Sequence, residues 1–364
     1  MISVRRLHLR NFRSYEELDL ELSPGLTAIV GDNGNGKTNL IESIGFLSRL
    51  SSFRGASTDA LVRVGAEEMV VRGEILCGDR EVLIEVEIPR HGRMRVLVNK
   101  QRLAKRGDLA EVMTTTVFSP DDLEIVKGGP AGRRQYLDDV LVDVHPKNDA
   151  ACSDFAKVLR QRNALLKQMS GRRSPEAELT LDVWDHRLTE VGERLAVLRT
   201  KIAQQLTPFV DEAYALVSGG LNGGRSDVRL QYVSGWAATG LAEALRDCRV
   251  DDIRRGVSTV GPHRDDLALG IGGLPVRTHA SQGEQRSMVL ALRLASHRLV
   301  TAARGEAPVL LLDDVFSELD DRRSVALLSS LPEGQKFLTS ASALPTGAVA
   351  DVTVMINESR ATVC

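Results

Sequence analysis

Apolar and polar positions alternate from the start of the chain. Ser3 to Arg10 reads as a strand, and "EELDLEL" sets Leu18, Leu20 and Leu22 on one face of a second. Ser23-Pro24-Gly25 marks a turn, after which "LTAIVG" predicts a short buried strand. It runs through a glycine loop, "GDNGNGKT", into an apolar helical segment. Further on, Val82, Ile84, Val86 and Ile88 alternate, as do Met94, Val96 and Val98. Pro89 to Gly92 between them predicts a hairpin turn.

The period changes near residue 130. Phe155, Leu159, Arg162, Leu166 and Met169 step by four and three, and Trp184, Leu188, Val191, Leu195, Leu198 and Ile202 do the same. Two such stripes joined by the polar "SGRRSPEAE" predict an antiparallel helical hairpin. The second helix is expected from Pro175 to Thr207, about 50 Å at 1.5 Å per residue. Neither stripe is long enough for a long coiled coil, so the hairpin is a short arm. A glycine-rich loop follows at Gly219 to Gly224, then strand signals at "VRLQYV" and from "LALGIG" to "LPVRTHA". The last third alternates. A helix over 285–304, the strand "VLLLDD", a helix near 321–331, the strand "KFLTSA" and a final strand near "VTVMI" are expected. That ending is an α/β pattern, so a sheet domain is split by a helical insertion. The expected segments are 1–130, 131–255 and 256–364, the outer two forming the sheet domain.

Composition narrows the classes. In 364 residues, 43% apolar is enough for a core, and 26% charged is ordinary for a soluble protein. A net charge of −2 gives no whole-molecule signal for nucleic acid or membrane, so any basic surface must arise by local segregation. Residues 90–106, "RHGRMRVLVNKQRLAKR", carry seven Lys or Arg and no acid. That suits contact with a DNA backbone, and it equally suits a solvated hairpin. Aromatic residues are only 4%, which favours duplex phosphates over stacking on single-stranded bases. Cys77, Cys152, Cys248 and Cys364 form no close pair, which fits a reducing compartment and neither a disulfide framework nor a zinc site. The N-terminal "MISVRRLHLRNFRSY" lacks the apolar stretch of a signal segment, and no uncharged apolar run is long enough for a bilayer. A cytosolic protein without a membrane partner is expected.

Gly31-Asp32-Asn33-Gly34-Asn35-Gly36-Lys37-Thr38 satisfies G-x-x-x-x-G-K-[ST], with a buried strand before it and a helix after it. The glycines let successive N–H groups turn inward around phosphates. Lys37 is expected on the β- and γ-phosphates and the Thr38 hydroxyl on Mg²⁺. The motif predicts a nucleoside triphosphate site. The strand "VLLLDD" supplies its second half. Asp313 is placed to hold the same Mg²⁺, and Asp314 to position or deprotonate water. Taken alone, the Asp pair serves equally as a cap for the helix that follows. "SELD", Ser317 to Asp320, is by itself only a cap. "SQGEQRSMVLALRLASHRLV", residues 281–300, opens an apolar helix on polar residues. Its N-terminus favours an anion, and Ser281 is also an ordinary N-cap.

Together and in this order, these motifs resemble the ABC-type ATPase superfamily. "LRNFRSYEELDLEL" is similar to the opening strands of its SMC, Rad50 and RecF branch. "VFSPDDLEIVKGGPAGRRQYLDDVL", "STVGPHRDDL" and "ASQGEQRS" resemble the RecF family over essentially the whole chain. The resemblance implies an ABC-type ATPase head, with a P-loop sheet core, an antiparallel β subdomain and a short inserted α-helical arm. It implies ATP with Mg²⁺, and Ser281 and Gly283 meeting the γ-phosphate held by a partner copy. It also implies an ATP-dependent homodimer that binds duplex DNA and single-strand/duplex junctions. Cooperation with RecO and RecR in loading recombinase at gaps, and slow ATP hydrolysis as a release switch, follow from the same resemblance.

Other residues keep two readings. Asn11 and Arg13 are solvated strand residues or, by the resemblance, approach the nucleotide's sugar or adenine. Arg133 and Arg134 are surface helix charges or contact phosphate. His263 in "GPHRDD" is a turn residue or part of a site. Thr339 and Ser340 stand where ABC proteins often carry a switch His, Gln282 where transporters usually have Gly, and no Q-loop Gln can be placed. The alternatives of another class are the nucleotide-binding subunit of an ABC transporter and a monomeric P-loop kinase.

Overall fold

The structure, a computed structural model, describes residues 2–103, 105–169, 171–218, 227–341, 344–345 and 347–363, without the side chains of Arg106 and Glu318. The glycine loop expected at 219–224 lies outside the described residues. In chain order the elements are β1 (Ile2–Phe12), β2 (Tyr15–Glu21), β3 (Leu26–Val30), α1 (Lys37–Arg49), β4 (Glu68–Cys77), β5 (Arg80–Pro89), β6 (Arg95–Val98) and β7 (Gln101–Arg102). Then come α2 (Arg106–Val112), β8 (Thr115–Phe118), α3 (Leu123–Lys127), α4 (Pro130–Val144), α5 (Asp149–Met169), α6 (Pro175–Val217), β9 (Val228–Val233) and α7 (Leu241–Arg255). The chain finishes with β10 (Asp266–Ile271), β11 (Leu274–Pro275), α8 (Val276–His279), α9 (Gln282–Arg304), β12 (Val309–Leu312), α10 (Asp321–Ser330), β13 (Lys336–Ser340), β14 (Val352–Asn357) and β15 (Arg360–Val363). Among the described residues no helix is long and apolar enough to cross a membrane.

The chain divides into two compact units. One holds Met1–Leu123, Glu212–Gly224 and Arg286–Cys364, the other Glu124–Asp211 and Arg225–Gln285. Residues 256–285 thus fall outside the sheet segment to which the sequence assigns them, because β10 pairs with β9 and β11 in a separate three-stranded sheet.

The first unit has two six-stranded sheets. One, ordered β2-β1-β4-β5-β6-β7, is antiparallel throughout. The other, β15-β14-β3-β13-β12-β8, is parallel except for its β15 edge. Every residue of β8 and β12 is buried, as expected of strands in a parallel sheet. Helix α1 packs against strands of both sheets, and Leu40, Ile41, Ile44 and Leu47 belong to a continuous apolar core with both. A helix buried this completely is a rigid mount for the loop at its N-terminus.

The sequence pattern does not predict strands β4, β7, β8 and β15. In β4 the inward series Met69, Val71, Gly73, Ile75 is interrupted by a residue with no side chain. The gap is filled from α1, since a Cβ at Gly73 would lie 2.6 Å from Leu47 Cδ1. Strand β8 is short and begins with two buried threonines, so it lacks an apolar run.

In the second unit, helices α5, α6 and α7 share a small apolar cluster of Leu166, Met169, Leu181 and Ile253. The expected stripe on α5 contains Arg162, and that side chain is fully buried. Its guanidinium pairs with Asp185 of α6 at 2.6 Å and Asp252 of α7 at 2.7 Å, and donates to Ser258 Oγ. Removing one partner of such a buried network typically costs about 3–5 kcal/mol. Helix α6 does not stop at Thr207. It continues through Pro208 to Val217, about 65 Å in all. Pro208 removes one backbone donor from that turn, where Thr207 Oγ1 donates to Ala203 O. Arg133 is neither a surface charge nor a free phosphate contact. It is buried and makes a bidentate pair with Asp266, while Arg134 donates to Asp265 O.

Candidate nucleotide site

The glycine loop joins β3 to α1, as its motif predicts. Gly31 must be glycine, because a Cβ there would lie 2.2 Å from Ile356 O on β14. Gly36 has φ 106°, and a side chain would press on Ser14 Oγ, Tyr15 Oη and Ser359 Oγ at 3.0–3.3 Å. Asp32, Asn33 and Gly34 are exposed at the loop's outer side. Asn35 O accepts from Ser359 N in the β14–β15 turn, and Asn35 Nδ2 donates to Ile356 O. The C-terminal hairpin therefore braces the loop from one side.

The first turn of α1 has no acidic residue and no side-chain cap. Its N–H groups and helix dipole are therefore left for an anion. Lys37 is buried, and its ammonium turns back to donate to Gly31 O at 2.6 Å and Asp32 O at 2.9 Å. A cation resting on two carbonyls has an obvious exchange to make when phosphate oxygens arrive.

Thr38 Oγ1 donates to Asp313 Oδ1 at 2.9 Å. Burial pushes the Asp313 carboxyl above its ordinary value, and the hydrogen bonds from Thr38 and Thr339 oppose that shift. A hydroxyl beside a carboxylate is a hard oxygen pair of the kind Mg²⁺ takes, with phosphate and water completing its shell. The two residues fit that ion. Asp314 follows in the left-handed region, with φ 49° and ψ 28°, and its exposed side chain makes no cap bond to the helical turn it precedes. It also lines a groove with Phe118, Ser119, Val289 and Val315.

The "NFRSY" residues brace this site. Asn11 and Arg13 both have positive φ, at 54° and 53°. The Arg13 guanidinium makes a bidentate pair at 2.8 Å with Glu42, which is fully buried on α1. Ser14 Oγ accepts from Asn39 Nδ2, and Tyr15 Oη donates to Gly36 O. Tyr15 is missed by sequence reasoning because it reads as an ordinary core aromatic.

Ser281 and Gly283 open α9, in the second unit. Ser281 forms a capping box. Its Oγ accepts from Glu284 N at 3.3 Å, and Glu284 Oε2 accepts from Ser281 N at 2.7 Å. A hydroxyl that accepts in this way still has its own proton to give. Gln285 Nε2 donates to Val276 O and Arg277 O, tying α8 to the first turn of α9. Nothing in the spacing marks that role.

Residues 3–362 match the family model described as the RecF/RecN/SMC N terminal domain. The DNA replication and repair protein RecF of Beutenbergia cavernae is 40% identical over 373 residues, covering 93% of each chain. Among solved structures, the recombination mediator protein RecF-ATP of the RecFOR pathway is 30% identical with a TM-score of 0.87, covering 100% of this chain and 99% of that one. An Smc head domain from Pyrococcus furiosus has a TM-score of 0.57 at 18% identity, covering 100% of this chain and 96% of that one, a likeness of fold alone. The architecture is thus that of an ABC-type ATPase head, which agrees with the parallel core, the antiparallel sheet and the inserted helices. With identity of this order along nearly the whole length, the chain belongs to the RecF family of DNA replication and repair proteins.

Proposed function

We propose that this protein is a cytoplasmic, weak, DNA-stimulated ATPase of recombinational repair, which dimerises on ATP and binds duplex DNA and single-strand/duplex junctions. The observation that carries this reading is the Thr38–Asp313 hydrogen bond, with the uncapped Asp314 carboxylate next in sequence. Gly31, Asp32, Asn33, Gly34, Asn35 and Gly36 wrap the triphosphate, and Lys37 moves from its loop carbonyls to the phosphates. Thr38 and Asp313 hold Mg²⁺, which neutralises charge on the β- and γ-phosphates when bound. Asp314 accepts a proton from the attacking water. Ser281 and Gly283 present a helix N-terminus and a hydroxyl proton to the triphosphate of a second copy. Asn11 lies near the nucleotide, and Arg13 supports it through Glu42. Hydrolysis then releases the dimer, and RecO and RecR act with it in loading recombinase at gaps.

Particle mass by light scattering, with and without ATP and a duplex bearing a single-stranded tail, tests the reading. Doubling with ATP and co-migration with the DNA are expected. A protein that stays monomeric with saturating ATP and DNA overturns it.

A further inference from the structure

Thr339 is the penultimate residue of β13, which lies between β3 and β12 in the core sheet, and its side chain is buried. Its hydroxyl is used twice. Oγ1 donates to Asp313 Oδ1 at 3.0 Å and accepts from the backbone N–H of Asp314 at 2.8 Å. The second bond falls on a residue whose backbone is in the left-handed region, which residues other than glycine populate sparsely although Asp and Asn enter it more readily than most, and the bond helps to hold it there. Asp313 Oδ1 thus receives two hydroxyls, from Thr38 and Thr339. The two differ in kind, since Thr38 shares the proposed Mg²⁺ site while Thr339 belongs to the sheet.

We propose that Thr339 is a positioning residue for ATP hydrolysis, which fixes the Asp313 carboxylate and, through the Asp314 N–H, the direction in which the Asp314 carboxylate leaves the strand. This rests on the proposed roles of Asp313 and Asp314. Thr339 stands in the segment where a switch His is often found, yet its hydrogen bonds go to the acidic pair. Its hydroxyl reads the metal side of the site and sets the water side in one bond network. A γ-phosphate contact is not its task.

Thr339→Val keeps the branched shape and removes both bonds, whereas Thr339→Ser keeps the hydroxyl. With full-length protein and Mg²⁺-ATP, single-turnover hydrolysis by Thr339→Val should slow at least about tenfold, within the range for a misdirected general base. Half-saturation by Mg²⁺ should move to higher concentration, while ATP affinity in EDTA stays within about threefold, since Lys37 and the loop still grip the phosphates. Thr339→Ser should return the rate to within about threefold of the parent. A purely structural role would lower the unfolding temperature of both variants without splitting rate from affinity. If Thr339→Val does not fold, Thr339→Ala takes its place with the same expectations. Parent-like hydrolysis by the variant without the hydroxyl, or a Thr339→Ser enzyme as slow as it, overturns the proposal. Asp314→Asn run in parallel separates the two levels. If it too hydrolyses normally, the assignment of the acidic pair has failed. If it is slow while Thr339→Val is not, only the role of Thr339 has.

Discussion

The Thr38 hydroxyl donates to the Asp313 carboxylate across 2.9 Å, although 275 positions separate the two residues. Sheet order explains the meeting. β3, which feeds the glycine loop, and β12, which leads directly into Asp313, have only β13 between them and run parallel, so their carboxyl ends lie at one edge. The Lys37 ammonium, held on Gly31 O and Asp32 O, completes that edge. Lys37→Met should therefore remove the cation and reduce ATP affinity by about 100-fold or more, with ATP-driven dimerisation and DNA binding lost together. Titration with a fluorescent ATP analogue measures it, and an unchanged affinity would remove the phosphate-loop assignment.

The basic stretch keeps most of its charge in the open. Arg93, Arg95, Lys100 and Arg102 are exposed, and Lys100 sits in an Asn99-Lys100 turn with both residues at positive φ. Arg95, however, stands in register with Glu87 on β5, so its charge is partly met on the same face of the sheet. Replacing Arg93, Lys100 and Arg102 by Gln should weaken duplex binding and flatten its salt dependence by roughly 0.9 units of log–log slope per lost phosphate contact. Arg95→Gln alone should flatten it less. Fluorescence anisotropy over a salt series gives the slopes, and slopes unaltered in both variants would return the hairpin to plain solvated surface.

What the sequence carried and what it withheld divide along physical lines. The glycine loop, the acidic strand end and α9 are legible because each is a local pattern, with its chemistry inside a few consecutive residues. Strand β4 is not, because Leu47 of another element supplies the side chain that Gly73 lacks. The end of α6 is misjudged because Pro208 is a helix breaker by local rules, and tertiary packing of Leu206 and Val210, both fully buried, overrides it. Tyr15, Gln285 and Thr339 act through one or two hydrogen bonds each to backbone or carboxylate atoms outside any local motif, and no spacing encodes such bonds.

At the head of α9, Ser281 separates two effects. Ser281→Ala removes the capping bond, a loss of about 1 kcal/mol of local stability, together with the hydroxyl offered to the partner's triphosphate, but adds no bulk. Ser281→Arg adds bulk where the partner's triphosphate is expected, so ATP binding should stay within about threefold while dimerisation is lost. Nucleotide titration and light scattering on both variants decide it. If Ser281→Arg lost ATP binding as severely as Lys37→Met, the shared-site picture would be wrong.

Below neutral pH, His297 should limit stability. It is buried on α9 with Nδ1 at 3.2 Å from Thr116 Oγ1, and burial pushes its pKa down to about 4, with nearby Lys336 and Arg298 acting in the same direction. Between an unfolded value of about 6.5 and the folded value, the unfolded chain binds a proton that the folded chain refuses. Stability should thus fall as pH drops through that window, by roughly 2 kcal/mol between pH 7 and pH 5. His297→Gln, which can still bond Thr116, should lose that part of the decline. Urea unfolding at the two pH values measures both proteins, and parallel losses would mean that other groups set the acid limit.

Asp314→Asn separates water activation from metal binding. The substitution suits the backbone, because Asn is among the few residues that tolerate the left-handed conformation found at this position. The Asp314 N–H bond to Thr339 and the Asp313 carboxylate are untouched by it, so nucleotide and Mg²⁺ should bind normally. An amide cannot accept the proton of the attacking water, so single-turnover hydrolysis should slow by about 100-fold or more. Binding energy alone sets the closure equilibrium, so the ATP-bound dimer should accumulate and its DNA complexes should outlive those of the parent. Asp313→Asn should instead weaken Mg²⁺ and nucleotide binding together. Quenched-flow hydrolysis, light scattering with ATP and DNA dissociation rates distinguish the two. Hydrolysis at the parent rate would leave Asp314 without a catalytic part. A slow but monomeric variant would mean that this carboxylate builds the closed dimer.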